Sequence, residues 1–154
     1  AGHDVGLLSE AGCPAVADPG ANLVALAQSE NIRVVPLIGP SSILLALMAS
    51  GLNGQRFAFQ GYLPAKEIQR NKALRELEAE SRKRQQTQIF IETPYRNRAM
   101  FDAILQSCQP ATRVTVATDL SLPGESIRTC SVQNWKKETP PDIERRPTVF
   151  LLLA

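Results

Sequence analysis

With 154 residues, of which 44% are hydrophobic, 21% charged and 5% aromatic, the chain has the make-up of a folded globular protein of one ordinary or two small domains, not of a disordered, collagenous or coiled-coil one. Seventeen Lys and Arg against fifteen Asp and Glu leave a formal charge of +2, a field too weak to define a nucleic-acid partner, so any basic surface must be local. Cys13, Cys108 and Cys130 are widely spaced, with His3 as the single histidine. They do not make up the four-ligand set of a zinc site, so no metal is expected and reduced thiols of a cytoplasmic protein are the simpler reading.

The chain opens abruptly on a short apolar strand over residues 4–8, which suggests a piece of a longer domain. A Gly/Pro-rich loop, residues 9–20, leads to a helical pattern over 21–29 carrying Leu23, Val24, Leu26 and Ala27. Residues 33–37 read as a buried parallel strand. Residues 42–50 read as an interior helix, apolar nearly all round, with Ser41 or Ser42 as N-cap and Gly51 at its end. The apolar stretch 34–49 is broken by Pro36, Gly39, Pro40, Ser41 and Ser42, so no membrane span is expected. No leader-like run opens the chain either.

The turn-forming stretch 52–55 marks a domain boundary, giving domains 1–53 and 54–154. A strand over 56–61 precedes a long polar helix, 66–84, whose apolar stripe is Ala73, Leu74 and Leu77. A strand over 88–92 follows, then a helix over 94–108 burying Met100, Ala103, Ile104 and Cys108. Strands over 113–118, 126–132 and 148–153 complete an α/β pattern, with Trp135 on a short helical turn packed against its domain. The fold class is two α/β domains, the first incomplete.

Open α/β sheets bind ligands at the loops beyond strand C-termini. Here those loops are 12–20, 39–42, 92–96 and 118–125, and none has the glycine spacing or the Gly-Lys-Ser/Thr of a phosphate cradle.

The ordered runs Asp4-Val5-Gly6-Leu7-Leu8-Ser9-Glu10-Ala11-Gly12-Cys13-Pro14, Val35-Pro36-Leu37-Ile38-Gly39-Pro40-Ser41-Ser42, Gly61-Tyr62-Leu63-Pro64 and Ile91-Glu92-Thr93-Pro94-Tyr95-Arg96 resemble the tetrapyrrole methylase superfamily of S-adenosylmethionine-dependent methyltransferases. They look most like its branch of ribosomal RNA small-subunit methyltransferases I. The resemblance implies two α/β domains of the tetrapyrrole methylase type, usually in a homodimer, with the methyl donor held in the cleft between domains. It also implies that the first strand, loop and helix of the first domain lie ahead of Ala1.

Carried over position by position, the resemblance assigns donor contacts to Ala11, Gly12, Cys13, Val16, Ser41, Ser42, Glu92 and Leu120. Cys13 stands where the family has Asp, and a thiol is a weaker acceptor. In the RNA branch the loop after the 113–118 strand carries two cations. Here it reads Thr118-Asp119-Leu120-Ser121-Leu122 and has none, so phosphate contacts must come from elsewhere. Lys66, Arg70, Arg96 and Arg98 are the candidates, against the simpler reading of a solvated helix face. Methyl transfer to a ribose 2′-hydroxyl depends on in-line positioning. Among the loop carboxylates Glu92, Asp119 and Glu125, Glu92 is the candidate base, unless it only pairs with Arg96 or Arg98. Two other readings stay open: a methyltransferase for a tetrapyrrole or other small acceptor, and a non-catalytic fragment that dimerises or binds RNA.

Overall fold

The Gly/Pro-rich loop hands over to the first helix at Gly20, where φ is 131° and a Cβ would run into the Leu7 side chain. Glycine alone tolerates both conditions. The protein is described here by a computed structural model, covering residues 2–9 and 12–154. It divides into two units, Ala1–Leu44 and Leu45–Ala154, each taken by itself below.

In the first unit α1 (Ala21–Ser29) forms where the apolar spacing places it. It closes in a Schellman arrangement: Asn31 is left-handed at φ 53°, Ile32 N–H donates to the Ala27 carbonyl at 2.8 Å, and Asn31 N–H to that of Gln28 at 3.2 Å. The two expected strands do not form. Residues 4–8 and 33–37 have no ladder partner among the described residues, and Leu8, Val35, Leu37 and Ile38 lie exposed. An all-apolar parallel strand is stable only when neighbours pair its edges and other elements cover its faces. α1 buries no residue.

α2 (Ser42–Ser50) runs across the division and stops before Gly51, at φ 67°. It buries Ala46, Leu47 and Ser50 but leaves Leu44 and Met48 exposed, so it is covered on one face rather than enclosed as its composition suggested.

The second unit contains β1 (Phe57–Tyr62), α3 (Glu67–Arg84), β2 (Thr87–Ile91), a 3₁₀ turn (Pro94–Arg96), α4 (Asn97–Ser107), β3 (Arg113–Thr118), β4 (Ser126–Ser131), α5 (Val132–Trp135) and β5 (Thr148–Leu153). The strands form one mixed sheet in the order β1-β2-β5-β3-β4. β1 and β2 are parallel, and the other pairs are antiparallel. Because β5 runs against both β2 and β3, those two strands point the same way. The C-terminal ends of β1, β2 and β3 therefore meet at one edge of the sheet.

Phe90, Val114, Val116, Phe150 and Leu152 form one sheet face, packed with Leu74 of α3 and Met100, Phe101 and Ile104 of α4. Phe90 stacks on Phe150 at 5.9 Å between centroids. Trp135 meets Phe101 edge-on at 5.4 Å and donates its indole N–H to the Val114 carbonyl at 2.9 Å, so it is a packing residue with a satisfied polar end. On the opposite face Ile89, Ala117 and Leu151 are fully buried. There Thr129 donates to the Ser50 carbonyl at 2.7 Å and Thr87 to that of Asn53 at 2.9 Å, which ties the end of α2 to the sheet.

The buried stripe of α3 is Arg70, Leu74, Glu78 and Ser81, a helical period that includes two charged residues. Glu78 accepts from Gln109 N–H at 2.7 Å and from the Thr112 hydroxyl, closing the turn between α4 and β3. Burial, with Glu78 nearby, pushes the Cys108 thiol up to about 12, which leaves it protonated and inert.

Candidate functional site

The loop that leaves β2 carries Glu92, whose side chain is wholly enclosed. Its Oε1 accepts the Thr93 N–H at 2.6 Å and an Arg96 guanidinium N–H at 2.7 Å. Burial opposes ionisation of this carboxyl, but the Arg96 hydrogen bond, the Thr93 N–H and the Arg96 charge outweigh it and hold the pKa below the ordinary value. Glu92 is therefore ionised at neutral pH and a poor proton acceptor. Its other oxygen, Oε2, is buried with no partner in the protein, an acceptor left open for a donor group.

The loop that leaves β3 is bent more sharply. Asp119 and Ser121, on either side of Leu120, are both left-handed, at φ 51° and 66°, a conformation that persists in non-glycine residues only where the surroundings enforce it. Asp119 N–H donates to the Pro147 carbonyl at 2.9 Å, Leu122 N–H to that of Asp119 at 2.9 Å, and Ser121 N–H to the Glu125 carboxylate at 2.7 Å.

The segment before β5 joins these two loops. Asn97 donates its side-chain amide to the Ile143 and Arg146 carbonyls, at 3.1 and 2.7 Å. Arg145 N–H reaches the Pro94 carbonyl at 3.2 Å, and Arg146 pairs with Asp119 at 2.9 Å. Residues 92–97, 119–125 and 143–147 thus form one cluster at the sheet edge. The segment 143–147 carries no motif of its own in the sequence. The available signal was Asp142 and Arg146, opposite charges four residues apart, which the structure joins at 3.0 Å.

In the first unit the two expected donor-contact segments adjoin. Cys13 Sγ faces the Pro40 carbonyl at 3.6 Å, and a Cβ on Gly12, where φ is 127°, would lie 3.9 Å from the Ser42 hydroxyl. This loop too is held by left-handed non-glycine residues, Ala15 at φ 64° and Ala17 at φ 55°, and Val16 N–H donates to the Cys13 carbonyl at 3.2 Å. Ser41 is half-buried and Val16 exposed. Ala11 lies outside the described residues.

The four candidate phosphate contacts separate. Lys66 is exposed and makes no ion pair among the described residues. Arg70 is buried and donates to the Ala65 carbonyl at 3.2 Å, so it is a structural residue of α3 and not a surface cation. The helical period that buries Leu74 also turns Arg70 inward. Arg98 is bound to Asp102 through two contacts of 3.1 Å, and Arg96 to Glu92. Arg98 does not compete for Glu92.

Behind the 118–125 loop lies an open hollow of about 640 Å³, lined by Val116, Thr118, Ser126, Arg128 and Arg146 among others. Its guanidinium groups are already engaged. Arg128 pairs with Glu138 at 2.6 Å and lies 5.8 Å from the Trp135 ring centroid, and Arg146 holds Asp119 and Asp142.

A family model described as tetrapyrrole (corrin/porphyrin) methylases matches residues 1–135. The ribosomal RNA small subunit methyltransferase I of Escherichia coli O157:H7 is 37% identical over 156 residues, covering 99% of this chain and 52% of that protein. Its counterpart in Pseudomonas aeruginosa is 40% identical over 127 residues, covering 82% of this chain and 44% of that protein. The chain thus spans about half the length of the curated relatives it matches. The crystal structure of the methyltransferase CobJ aligns with a TM-score of 0.60 at 19% identity, over 94% of this chain and 62% of that one. Diphthine synthase aligns with 0.59 at 15% identity, over 93% and 57%. At such identities the two structures establish a shared α/β fold. Among the described residues no helix is long and apolar enough to cross a membrane.

Proposed function

Because the chain belongs to the tetrapyrrole (corrin/porphyrin) methylase family, we propose that it serves in methyl transfer from S-adenosylmethionine to small-subunit ribosomal RNA, with a ribose 2′-hydroxyl as acceptor. The observation that carries this reading is the 37% identity, over 99% of the chain, to a protein named ribosomal RNA small subunit methyltransferase I. The reading also makes the protein a cytoplasmic homodimer.

The residues fit a donor of this kind. In the first unit Gly12, Cys13, Val16, Ser41 and Ser42 supply backbone groups and hydroxyls, and the left-handed loop keeps the backbone near Gly12 open to close approach. In the second unit Glu92 and Leu120 are the contacts, and the buried, unpartnered Glu92 Oε2 suits a hydroxyl or ammonium donor. When bound, the donor supplies an electrophilic methyl on a sulfonium. The chain's part is to hold the acceptor in line with it and to exclude water. Glu92 is the candidate base from sequence, yet its lowered pKa and its bond to Arg96 favour a positioning role. Asp119 and Glu125 are likewise engaged, with Arg146 and with the Ser121 N–H. Lys66, Arg96 and Arg98 are the proposed phosphate contacts.

One observation favours a second reading. The 118–122 loop bears no cation, which suits a small acceptor of low charge better than a polyanion. The experiment is transfer of methyl-labelled donor to deproteinised small-subunit RNA. Label in RNA, at a ribose oxygen after nuclease digestion, supports the proposal. Label only in a tetrapyrrole, with RNA untouched, overturns it in favour of the second reading. A folded protein that binds no donor, by calorimetry with S-adenosylhomocysteine, is the non-catalytic fragment.

A further inference from the structure

We propose that Arg146 is the positioning residue of the donor-contact loop, clamping residues 119–124 in the bent form that presents Leu120. The inference rests on the reading of Leu120 as a donor contact. Its physical basis is the guanidinium itself. Nε donates to Asp119 Oδ2 at 2.9 Å, Nη2 to the Gly124 carbonyl at 2.6 Å, and Nη1 to both the carbonyl and the carboxylate of Asp142 at 3.0 Å. One planar group thus spans the two ends of the loop, Asp119 and Gly124, and anchors them to the segment before β5.

A clamp is needed here because the loop does not hold its own shape cheaply. Two non-glycine residues, Asp119 and Ser121, sit left-handed within three positions, a strained conformation that the surroundings must offset. Leu122 and Leu120 cannot supply the offset by packing, since Leu122 is exposed and Leu120 only half-buried. Arg146 supplies it through charge-assisted bonds in a fork that lysine cannot reproduce. The site is also fitted to this side chain: a Cβ on Gly124 would stand 2.8 Å from Arg146 Nη2 and 3.2 Å from Asp119 Oδ2. Gly124 leaves the room that the guanidinium fills. Asp119 in turn raises the Arg146 pKa, so the guanidinium keeps its charge.

The test uses four variants of the whole chain: Arg146→Ala, Arg146→Lys, Gly124→Ala and, as a control away from the loop on the exposed face of α3, Glu76→Gln. Binding of S-adenosylhomocysteine is measured by calorimetry, amide exchange of residues 119–125 by mass spectrometry, and melting temperature in parallel. Arg146→Ala is expected to raise the dissociation constant about tenfold, the scale of a lost charge-assisted bond, and to speed exchange of 119–125. Arg146→Lys falls between it and wild type. Gly124→Ala, which keeps the charge and displaces it, shifts binding the same way, while Glu76→Gln changes neither readout. A purely structural role would lower the melting temperature of Arg146→Ala and leave the affinity of the folded protein unchanged, and that result overturns the proposal. Unchanged exchange at 119–125 overturns it as well. If wild type binds no donor, the reading of Leu120 fails. The clamp then stands if exchange at 119–125 quickens in Arg146→Ala and falls if it does not.

Discussion

The two units of the chain have comparable apolar sequences and opposite fates. In residues 87–91 and 148–153 the apolar runs are paired on both edges and buried. Residues 4–8 and 33–37, equally apolar to the eye, form no ladder among the described residues, and Leu37 and Ile38 stand in solvent. An apolar run encodes a strand only conditionally, because a strand's stability resides in its neighbours. α1 illustrates the converse. A helix satisfies its own backbone, so α1 forms with a complete Schellman end although it buries nothing.

The largest effect that can break this comparison is in amide exchange. Opening of β2, β3 and β5 requires disruption of the sheet, so their amides are expected to exchange on the order of a thousandfold or more slowly than those of 4–8 and 33–37. Mass spectrometry of exchanged peptides checks this. Equal protection in the two regions would mean that the first unit has partners of its own.

The same contrast explains how much the sequence disclosed. Helices and antiparallel strands of the second unit were legible almost to the residue, since β3 and β5 and the period of α4 depend on local patterns that the sheet then confirms. Arg70 was misplaced because a charged residue on a polar helix reads as surface, whereas the helical phase set by Leu74 turns it inward. Of the candidate site, the loops beyond β2 and β3 were foreseen as strand-end loops. Their bridge through Asn97 was not, because it joins residues 46 and 49 positions apart through backbone carbonyls that no side-chain pattern encodes.

A next, smaller effect sharpens the difference in packing. Phe90 is fully buried against Phe150, and Phe90→Ala is expected to destabilise the second unit by about 3–5 kcal/mol, from lost burial plus the cavity left behind. Leu37→Ala removes an exposed side chain and is expected to change stability by no more than about 0.5 kcal/mol. Denaturant unfolding of both variants checks the pair, and a cost for Leu37→Ala approaching that of Phe90→Ala would show that the first unit buries a core.

The smallest effect distinguishes the loops themselves. The loop near Gly12 is fastened by a thiol facing a carbonyl, whereas the β2 loop is fastened by an ion pair. Glu92 has its folded-state pKa below the ordinary 4.5, so its contribution is present in full above that value and is lost as pH falls through the lower folded pKa. Because Arg96 is half in solvent, the contribution is small. Glu92→Gln should therefore be less stable than wild type by a constant margin at neutral pH, and the margin should close below pH 4.5. Arg96→Met sharpens the point. It leaves the buried carboxylate to the Thr93 N–H alone, and burial, the largest single influence on this group, then moves its pKa upward. The pH dependence of stability should shift toward higher pH in that variant. A margin for Glu92→Gln that stays constant down to pH 3 would mean that Glu92 holds its loop by shape and not by charge.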